Sequence, residues 1–324
     1  MDHRANTPNG LANLCTNQFH TPSGGLPWRL RLEHALKESG FCVDSPVFLR
    51  LILCGGWPRT LLMRFLRAKF SPLLLERIRR MDLPLSNRSA LFTQGISLIN
   101  ARETYKTTGR SRTKLVDAAV LRHAEGLQPL RLLEVGVSDG VSSLDLLEAL
   151  PKHAQVTLSD RHPFFTRRGI GPASIILDGC GRVLGLKVFC FYLNIPANIR
   201  LSTARGQRLD TTNPLLAEGT PPRHIHRFDV CADVAEEPFP LIKCANVFNR
   251  KYFSTQAIVS SVDNLACSLT EGGLLFISQN NARYAEGEAY FILRKQAGRM
   301  ILVEERNRHE AVDLFEGESS CASS

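Results

Sequence analysis

The stretch LLEVGVSDGVSSLDLLEAL, from Leu132 to Leu150, decides which fold this chain is expected to adopt. An apolar run leads into a turn that has glycine at 136 and 140 and serine at 138, and a helix-like apolar pattern follows. Glycine adds nothing to a core and is conformationally costly inside a helix or a strand. A glycine turn between a strand pattern and a helix pattern therefore indicates a place where the backbone must approach a ligand.

The rest of the C-terminal half continues this alternation of strand-like and helix-like patterns from Arg131 onward. Such alternation predicts an α/β fold with a doubly wound, mostly parallel, Rossmann-like sheet. The last strong segment, EAYFILRKQAGRMILVEER, has two β-rich runs around KQAG and predicts a terminal antiparallel hairpin. Residues 173–200 depart from the pattern, because DGCGR is a turn signal between apolar runs. There an inserted hairpin and a helix under a substrate lid both remain open.

Changes in composition divide the chain into four parts. Residues 1–25 and 316–324 are rich in small and polar residues and are expected to be disordered tails. Residues 26–112 carry short helical patterns separated by proline and glycine and form a small basic helical region that precedes the sheet. Residues 113–315 are expected to form the α/β domain.

The basic character of the chain lies in its N-terminal part. The net charge is +9, and residues 1–130 hold 19 Lys and Arg against 9 Asp and Glu. The segment Trp57–Arg80, WPRTLLMRFLRAKFSPLLLERIRR, has apolar residues at steps of three and four with basic residues between them. It is either an amphipathic helix pair packed on the main domain or a dock for an anionic partner. A membrane surface, a nucleic acid and an acidic protein are the candidates for that partner.

Cysteine usage and the chain start indicate the compartment. The nine cysteines are scattered without a CxxC pair, which is typical of reduced structural thiols, so we expect a cytoplasmic protein. No metal site is expected, because clustered ligands are absent and the pair His224 and His226 is too little for one. The first residues lack the apolar region of a signal peptide, and no apolar run is long enough for a membrane span.

The spacing of the turn residues separates two classes of ligand. The dinucleotide fingerprint G-x-G-x-x-G has its last glycine five positions after the first, where this chain has Val141, and Ser138 stands in place of the middle glycine. Glu134, in the strand just before the turn, would repel a pyrophosphate. It would instead attract a sulfonium or an ammonium group.

The turn EVGVSDG resembles the first motif of the class I S-adenosylmethionine-dependent methyltransferases, which has an acidic residue followed by a G-x-G-x-G loop. Serine is the one departure. The resemblance implies that S-adenosyl-L-methionine is the cofactor and that Glu134, Gly136, Ser138 and Gly140 contact it. It also implies a second carboxylate at the end of the second strand, Asp160 in VTLSD, that accepts hydrogen bonds from both ribose hydroxyls.

Two further cofactor residues follow from the same resemblance. Asp233 in CADVAEEPFP is the expected acidic residue that faces the adenine amine, with Asp229 as the second choice. Asn246, followed by Tyr252 and Phe253, is similar to the fourth motif of the chemotaxis-receptor-type carboxyl methyltransferases, which implies a cofactor role for Asn246.

The function implied is transfer of a methyl group from S-adenosylmethionine to an acceptor by in-line displacement. A general base is required only if the acceptor must lose a proton, and no base stands out, so the catalytic residues and the acceptor, a protein side chain or a small molecule, stay open. Two other classes of function remain: a non-catalytic methyltransferase-like scaffold, and an NAD-dependent oxidoreductase, which the glycine spacing disfavours.

Overall fold

The structure is a computed structural model that describes residues 39–316, except 55, 66–67, 102–103, 107, 171, 196–198 and 252. The predicted tail 1–25, all but the first residue of the predicted tail 316–324, and Tyr252 lie outside the described residues. The described chain divides into two compact units, 39–228 and 229–316.

The α-helices of the described residues are α1 (Pro46–Leu53), α2 (Gly56–Thr60), α3 (Leu73–Arg79), α4 (Leu85–Ser97), α5 (Lys114–Ala124), α6 (Leu144–Ala149), α7 (Pro214–Ala217) and α8 (Thr255–Cys267). A π-helical turn covers Leu61–Phe65, and a short 3₁₀ turn, Val141–Ser143, precedes α6.

The strands are β1 (Gly40–Phe41), β2 (Asn100–Ala101), β3 (Thr104–Tyr105), β4 (Arg131–Val135), β5 (Gln155–Asp160), β6 (Phe164–Ile170), β7 (Ala173–Leu177), β8 (Val183–Val188), β9 (Phe191–Asn194), β10 (Gln207–Asp210), β11 (Ile225–Arg227), β12 (Phe239–Ala245), β13 (Leu269–Asn280), β14 (Glu288–Gln296) and β15 (Arg299–Arg306). The protein is therefore mixed α/β.

Three parallel strands of the first unit, in the order β11-β5-β4, carry the glycine turn. Strands β4, β5 and β11 lie side by side in the order in which they follow one another along the chain, apart from the inserted strands β6 to β10. This order is the one expected of the predicted Rossmann-like sheet. The residues Val137, Leu158, Leu216 and Ile225 form a buried apolar cluster around these strands. The quoted stretch thus forms the predicted strand, turn and helix, although α6 has only six residues.

The first unit departs from the predicted winding between β5 and β11. There the chain builds an antiparallel sheet in the order β1-β9-β8-β7-β6-β10. Of the two alternatives for residues 173–200, the described residues of this stretch form strands and no helix. The insertion is larger than the single hairpin considered, because β6 and β10 belong to the same sheet. Strands that alternate and pair locally form without a crossover helix.

The N-terminal helices and this antiparallel sheet share one hydrophobic core within the first unit. Leu74, Leu75, Ile78, Phe92 and Ile96 are fully buried, in one cluster with residues of β6 to β10. The close packing is visible on α4, where a Cβ added to residue 95 would lie 3.2 Å from the Cδ1 atom of Ile78. Helices α3 and α4 of the basic helical region are therefore packed on this sheet through their apolar faces.

The second unit has the strand order β12-β13-β14-β15 and the helix α8. Strands β12 and β13 are parallel, whereas β13, β14 and β15 pair antiparallel. The last pair confirms the predicted terminal hairpin. Helix α8 begins at a side-chain cap, in which Ser254 Oγ accepts a hydrogen bond from Ala257 N, and it buries Ile258, Val262 and Leu265 at helical spacing.

Candidate functional site

The glycine turn alternates in backbone conformation in a way that explains its sequence. Gly136, Ser138 and Gly140 all have left-handed backbone, with φ of 78°, 60° and 82°. Left-handed backbone costs a residue with a Cβ roughly 1–2 kcal/mol and costs glycine almost nothing. The G-x-S-x-G spacing thus corresponds to three left-handed positions, and serine is the strained member. Its Oγ is buried and has no hydrogen-bond partner among the described residues.

The end of the neighbouring strand brings Asp160 to this turn. Asp160 Oδ2 accepts a hydrogen bond of 2.9 Å from Ser138 N. Its Oδ1 accepts bonds from His162 N, at 2.8 Å, and from Lys106 Nζ, at 2.7 Å. A carboxylate offers about four lone-pair positions, so these three bonds leave room for one further donor.

Two opposing effects act on the pKa of Asp160. Burial raises it, whereas the positive charge and hydrogen bond of Lys106, together with the N–H of His162, lower it. The lowering effects prevail, and the pKa lies below the ordinary value for an aspartate. Asp160 is therefore an ionised, buried acceptor beside the turn at neutral pH.

Asp139 anchors the turn through hydrogen bonds of its carboxylate and is a residue that the sequence analysis missed. It is fully buried, and its Oδ1 accepts from Thr108 Oγ1 at 2.8 Å and from Val141 N at 3.1 Å. Its Oδ2 accepts from Thr93 Oγ1 at 2.9 Å and from Asn213 Nδ2 at 3.0 Å. The sequence feature that could have marked Asp139 is its position inside a glycine turn. A buried aspartate is stable only if hydrogen-bond donors surround its carboxylate.

Gly140 serves packing as well as backbone conformation. A Cβ added there would lie 2.3 Å from Leu216 Cδ1 and 3.6 Å from Ile225 Cδ1. The space above this glycine is thus filled by an apolar side chain of α7. The sequence predicts that the glycine turn approaches a ligand, whereas at Gly140 the close neighbour in the structure is the Leu216 side chain.

Glu134 lies in β4, two residues before Gly136, and is 2% exposed. Its backbone oxygen accepts from Ser159 Oγ at 3.0 Å, and its Cα is paired in register with Leu158 of β5. Five predicted site residues, Glu134, Gly136, Ser138, Gly140 and Asp160, therefore belong to one strand–turn–strand neighbourhood of the first unit.

The other two predicted residues belong to the second unit. Asp233 Oδ2 accepts a hydrogen bond of 2.8 Å from Asp229 N, so its carboxylate binds the backbone of the loop to which it belongs. Asn246 has φ of 59°, and its side chain exchanges two hydrogen bonds of 2.8 Å with Asn280, whose backbone N and side-chain Oδ1 take part. It joins the ends of β12 and β13.

His162 stands next to this neighbourhood, because its backbone N–H is bonded to Asp160. Burial lowers the pKa of its imidazole to about 4, against the opposing effect of the Asp178 carboxylate. The ring is therefore neutral at pH 7. Lys106 and His162 both bond to Asp160 from positions that no local motif marks.

No protein-family model matches this chain, and no curated protein matches it either. Several solved structures are similar to it. The S-adenosylmethionine-dependent methyltransferase SibL is 17% identical with a TM-score of 0.31, over 63% of this chain and 45% of SibL. TrmN from Thermus thermophilus is 14% identical with a TM-score of 0.30, over 57% of this chain and 46% of TrmN.

The sugar N-methyltransferase KedS8 from Streptoalloteichus sp. is 12% identical with a TM-score of 0.29, over 66% of this chain and 85% of KedS8. This chain spans less than half the length of the first two structures. A likeness of this size carries no argument. The function is therefore inferred from the residues themselves.

Within the described residues, no helix has both the length and the apolar character needed to span a bilayer. The longest helices, α4 and α8, have 13 residues each, whereas a span needs about 20.

Proposed function

We propose that the turn Gly136–Gly140, with Glu134 and Asp160, binds S-adenosyl-L-methionine and that the protein transfers its methyl group to an acceptor. The observation that carries the proposal is the direct bond between Ser138 N and the Asp160 carboxylate in a turn with three left-handed positions. This arrangement joins a narrow backbone bend to an ionised acceptor, the two features that the first and second motifs of the resemblance imply.

The fit to the cofactor rests on two atoms. Asp160 has acceptor capacity for one further donor, such as a ribose hydroxyl, and its pKa below the ordinary value keeps it ionised. Ser138 Oγ is a buried polar atom without a partner in the described chain, and a polar cofactor group would satisfy it. We assign Glu134 to the cationic part of the cofactor. Asp233 and Asn246 stay in the proposal on the resemblance alone.

The cofactor would supply a methyl group on a positively charged sulfur. The chain would hold donor and acceptor in line and exclude water, which accounts for most of what such a displacement requires. An alcohol acceptor would need a base and a carboxylate acceptor would not. Identification of the acceptor class therefore also decides whether a base must be sought.

Calorimetric titration of the purified full chain with S-adenosylmethionine and S-adenosylhomocysteine tests the proposal. We expect binding, and we expect Glu134→Gln and Asp160→Asn each to weaken it by about 1–3 kcal/mol, because each removes a charged hydrogen-bond acceptor. The matched controls are Glu148→Gln and Asp145→Asn on the exposed side of α6, which should keep the affinity of the original chain. No binding by the original chain, or an equal loss in the controls, contradicts the proposal.

Turnover with a labelled methyl donor separates an enzyme from the non-catalytic scaffold. Label transferred to an acceptor in cell extract supports catalysis. Cofactor binding without transfer under the same conditions supports the scaffold. Binding of NAD in place of S-adenosylmethionine would favour the oxidoreductase, which the turn spacing disfavours.

We also propose that the basic segment Trp57–Arg80, with helix α1 before it, meets an anionic lipid surface. The segment has seven Lys and Arg and one acidic residue, Glu76. Large apolar side chains are exposed on this segment and on α1, and Trp57 is 77% exposed. The others are Val47, Phe48, Leu51, Leu53, Leu61 and Met63. Apolar side chains together with basic ones suit an anionic membrane surface better than a nucleic acid, which offers phosphates but no apolar phase to these aliphatic groups.

A further inference from the structure

The turn between β7 and β8 lies against the residues that follow β5, and it brings together three side chains of different chemistry. One ligand atom each from His162, Asp178 and Cys180 lie within 4.8 Å of one another. None of the three takes part in the proposed cofactor turn through its side chain. They are separated in sequence by 16 and 2 positions, so no short metal-binding motif marks them.

The backbone of the turn holds the aspartate and the cysteine in place. Asp178 is 2% exposed, and its Oδ1 accepts hydrogen bonds of 2.9 Å from both Cys180 N and Arg182 N. Both amide bonds fall on Oδ1, so Oδ2 is the oxygen that can coordinate an ion. Gly181 makes this geometry possible, because its φ of 77° is left-handed backbone that glycine adopts at little cost.

The same turn packs closely on the backbone that carries the histidine. A Cβ added to Gly179 would lie 3.4 Å from the carbonyl oxygen of Phe164 and 3.7 Å from the Cα of His162. These are ordinary van der Waals distances, so the turn that carries Asp178 and Cys180 lies in contact with the backbone of His162.

The imidazole offers a nitrogen that nothing else uses. His162 Nδ1 is buried and has no hydrogen-bond partner in the part of the chain that is described. Buried polar atoms are nearly always satisfied by protein, water or an ion. Among the described residues, the hydrogen-bond contact of Cys180 Sγ is a long one of 3.9 Å from Arg227 Nη2, and the sulfur can accept another partner.

We propose that His162, Asp178 and Cys180 bind a zinc-type divalent metal ion, with a fourth position open to water or to a substrate group. Nitrogen, oxygen and sulfur donors together suit Zn²⁺, whereas Mg²⁺ and Ca²⁺ prefer oxygen alone. A neutral imidazole, a carboxylate and a thiolate carry two negative charges, which match a divalent cation. Three protein ligands and an open position are the arrangement typical of reactive zinc sites. This inference does not depend on the proposed cofactor.

Binding of Zn²⁺ alone to the untagged, chelator-treated full chain is the first test. We expect one tight site per chain by calorimetry, and roughly 100-fold weaker binding in Cys180→Ser and in His162→Gln, because each loses one of three ligands. Cys190→Ser is the matched control, since Cys190 is an exposed cysteine of the same unit, and it should bind as the original chain does. The absence of a tight site, or the same loss in Cys190→Ser as in Cys180→Ser, overturns the proposal.

Two measurements on the original chain keep the test independent of whether the variants fold. Co²⁺ should give the near-ultraviolet charge-transfer absorption of a cobalt–thiolate bond and the visible bands of tetrahedral coordination. Zn²⁺ should also protect Cys180 from alkylation, read by peptide mass spectrometry, while Cys190 stays reactive. A Co²⁺ spectrum without thiolate absorption, or alkylation of Cys180 that Zn²⁺ does not slow, overturns the proposal.

Discussion

Lys106 and Asp160 form an ion pair in which both side chains are largely buried, with exposed fractions of 9% and 12%. We expect Lys106→Met to lower the free energy of unfolding by about 3 kcal/mol near pH 7, because it leaves a buried carboxylate without its cation. Urea denaturation measures this loss.

The double variant Lys106→Met with Asp160→Asn should recover part of the loss, because the unpaired charge is then gone. Arg110→Met is a control at an exposed ion pair with Asp145, where a change below about 1 kcal/mol is expected. Equal losses of unfolding free energy in Lys106→Met and Arg110→Met would show that burial does not increase the contribution of the Lys106–Asp160 pair to stability.

We expect His309 to make the stability of the second unit depend on pH. The residue is 1% exposed, its ring packs edge-on against Phe291, and burial lowers its pKa to about 4. Between pH 6.5 and 4 the unfolded chain binds a proton on this histidine and the folded chain does not. The free energy of unfolding should therefore fall as the pH falls, by about 1.4 kcal/mol per pH unit and about 3 kcal/mol in all.

The variant His309→Gln tests this slope, because glutamine cannot take up the proton and its oxygen can still accept from Ala311 N. Urea denaturation from pH 7 to 4.5 should give a flatter dependence for this variant than for the original chain. His153→Gln, at an exposed position, should keep the original slope. An unchanged slope in His309→Gln would contradict the assignment.

At the scale of elements, the glycine turn packs against α7 at Gly140, where the Leu216 side chain of α7 leaves no space for a Cβ. We expect Gly140→Ala to cost about 3 kcal/mol of unfolding free energy, because left-handed strain and the overlap with Leu216 add. Gly126→Ala is the control: its φ is +79° with nothing within 4 Å, so strain alone applies, about 1–2 kcal/mol.

Denaturation of Gly140→Ala, Leu216→Ala and the double variant measures the coupling. The double variant should be less destabilised than the sum of the two single variants by about 1 kcal/mol or more, since truncation of Leu216 relieves the overlap. If the losses of unfolding free energy in the two single variants add up to the loss in the double variant, the Leu216 side chain does not limit the size of the residue at position 140.

Elements with strong local patterns were predicted well. β4, β5 and the terminal hairpin of β14 and β15 form where periodicity indicated them. The antiparallel insertion was predicted only in part, since the paired residues of β6 and β10 are 40 to 46 positions apart and a local pattern cannot report such pairing.

At the scale of the whole molecule, the net charge of +9 and its N-terminal location govern encounters with anionic surfaces. We expect the full chain to bind vesicles that contain phosphatidylserine, to bind neutral phosphatidylcholine vesicles far less, and to lose binding as salt rises. Vesicle co-sedimentation measures this.

Trp57→Ser should reduce vesicle binding roughly tenfold, because the indole would no longer be buried in the interface. Val234→Ser, at a residue that is 49% exposed in the other unit, should bind as the original chain does. Equal binding to neutral and anionic vesicles, or binding to nucleic acid alone, would contradict a lipid partner.

The sequence by itself determined the glycines at 136 and 140 that permit left-handed backbone and the strand that leads into them, because backbone preference and apolar periodicity are local properties. The left-handed backbone of Ser138 is seen only in the structure. The domain limits and the cofactor roles drawn from it stay predictions. Only the tertiary structure decided that Lys106 meets Asp160, that Leu216 covers Gly140, and that the DGCGR turn lies against His162. Each of these contacts joins residues that are far apart in the chain, and closing such distances depends on the packing of the whole unit.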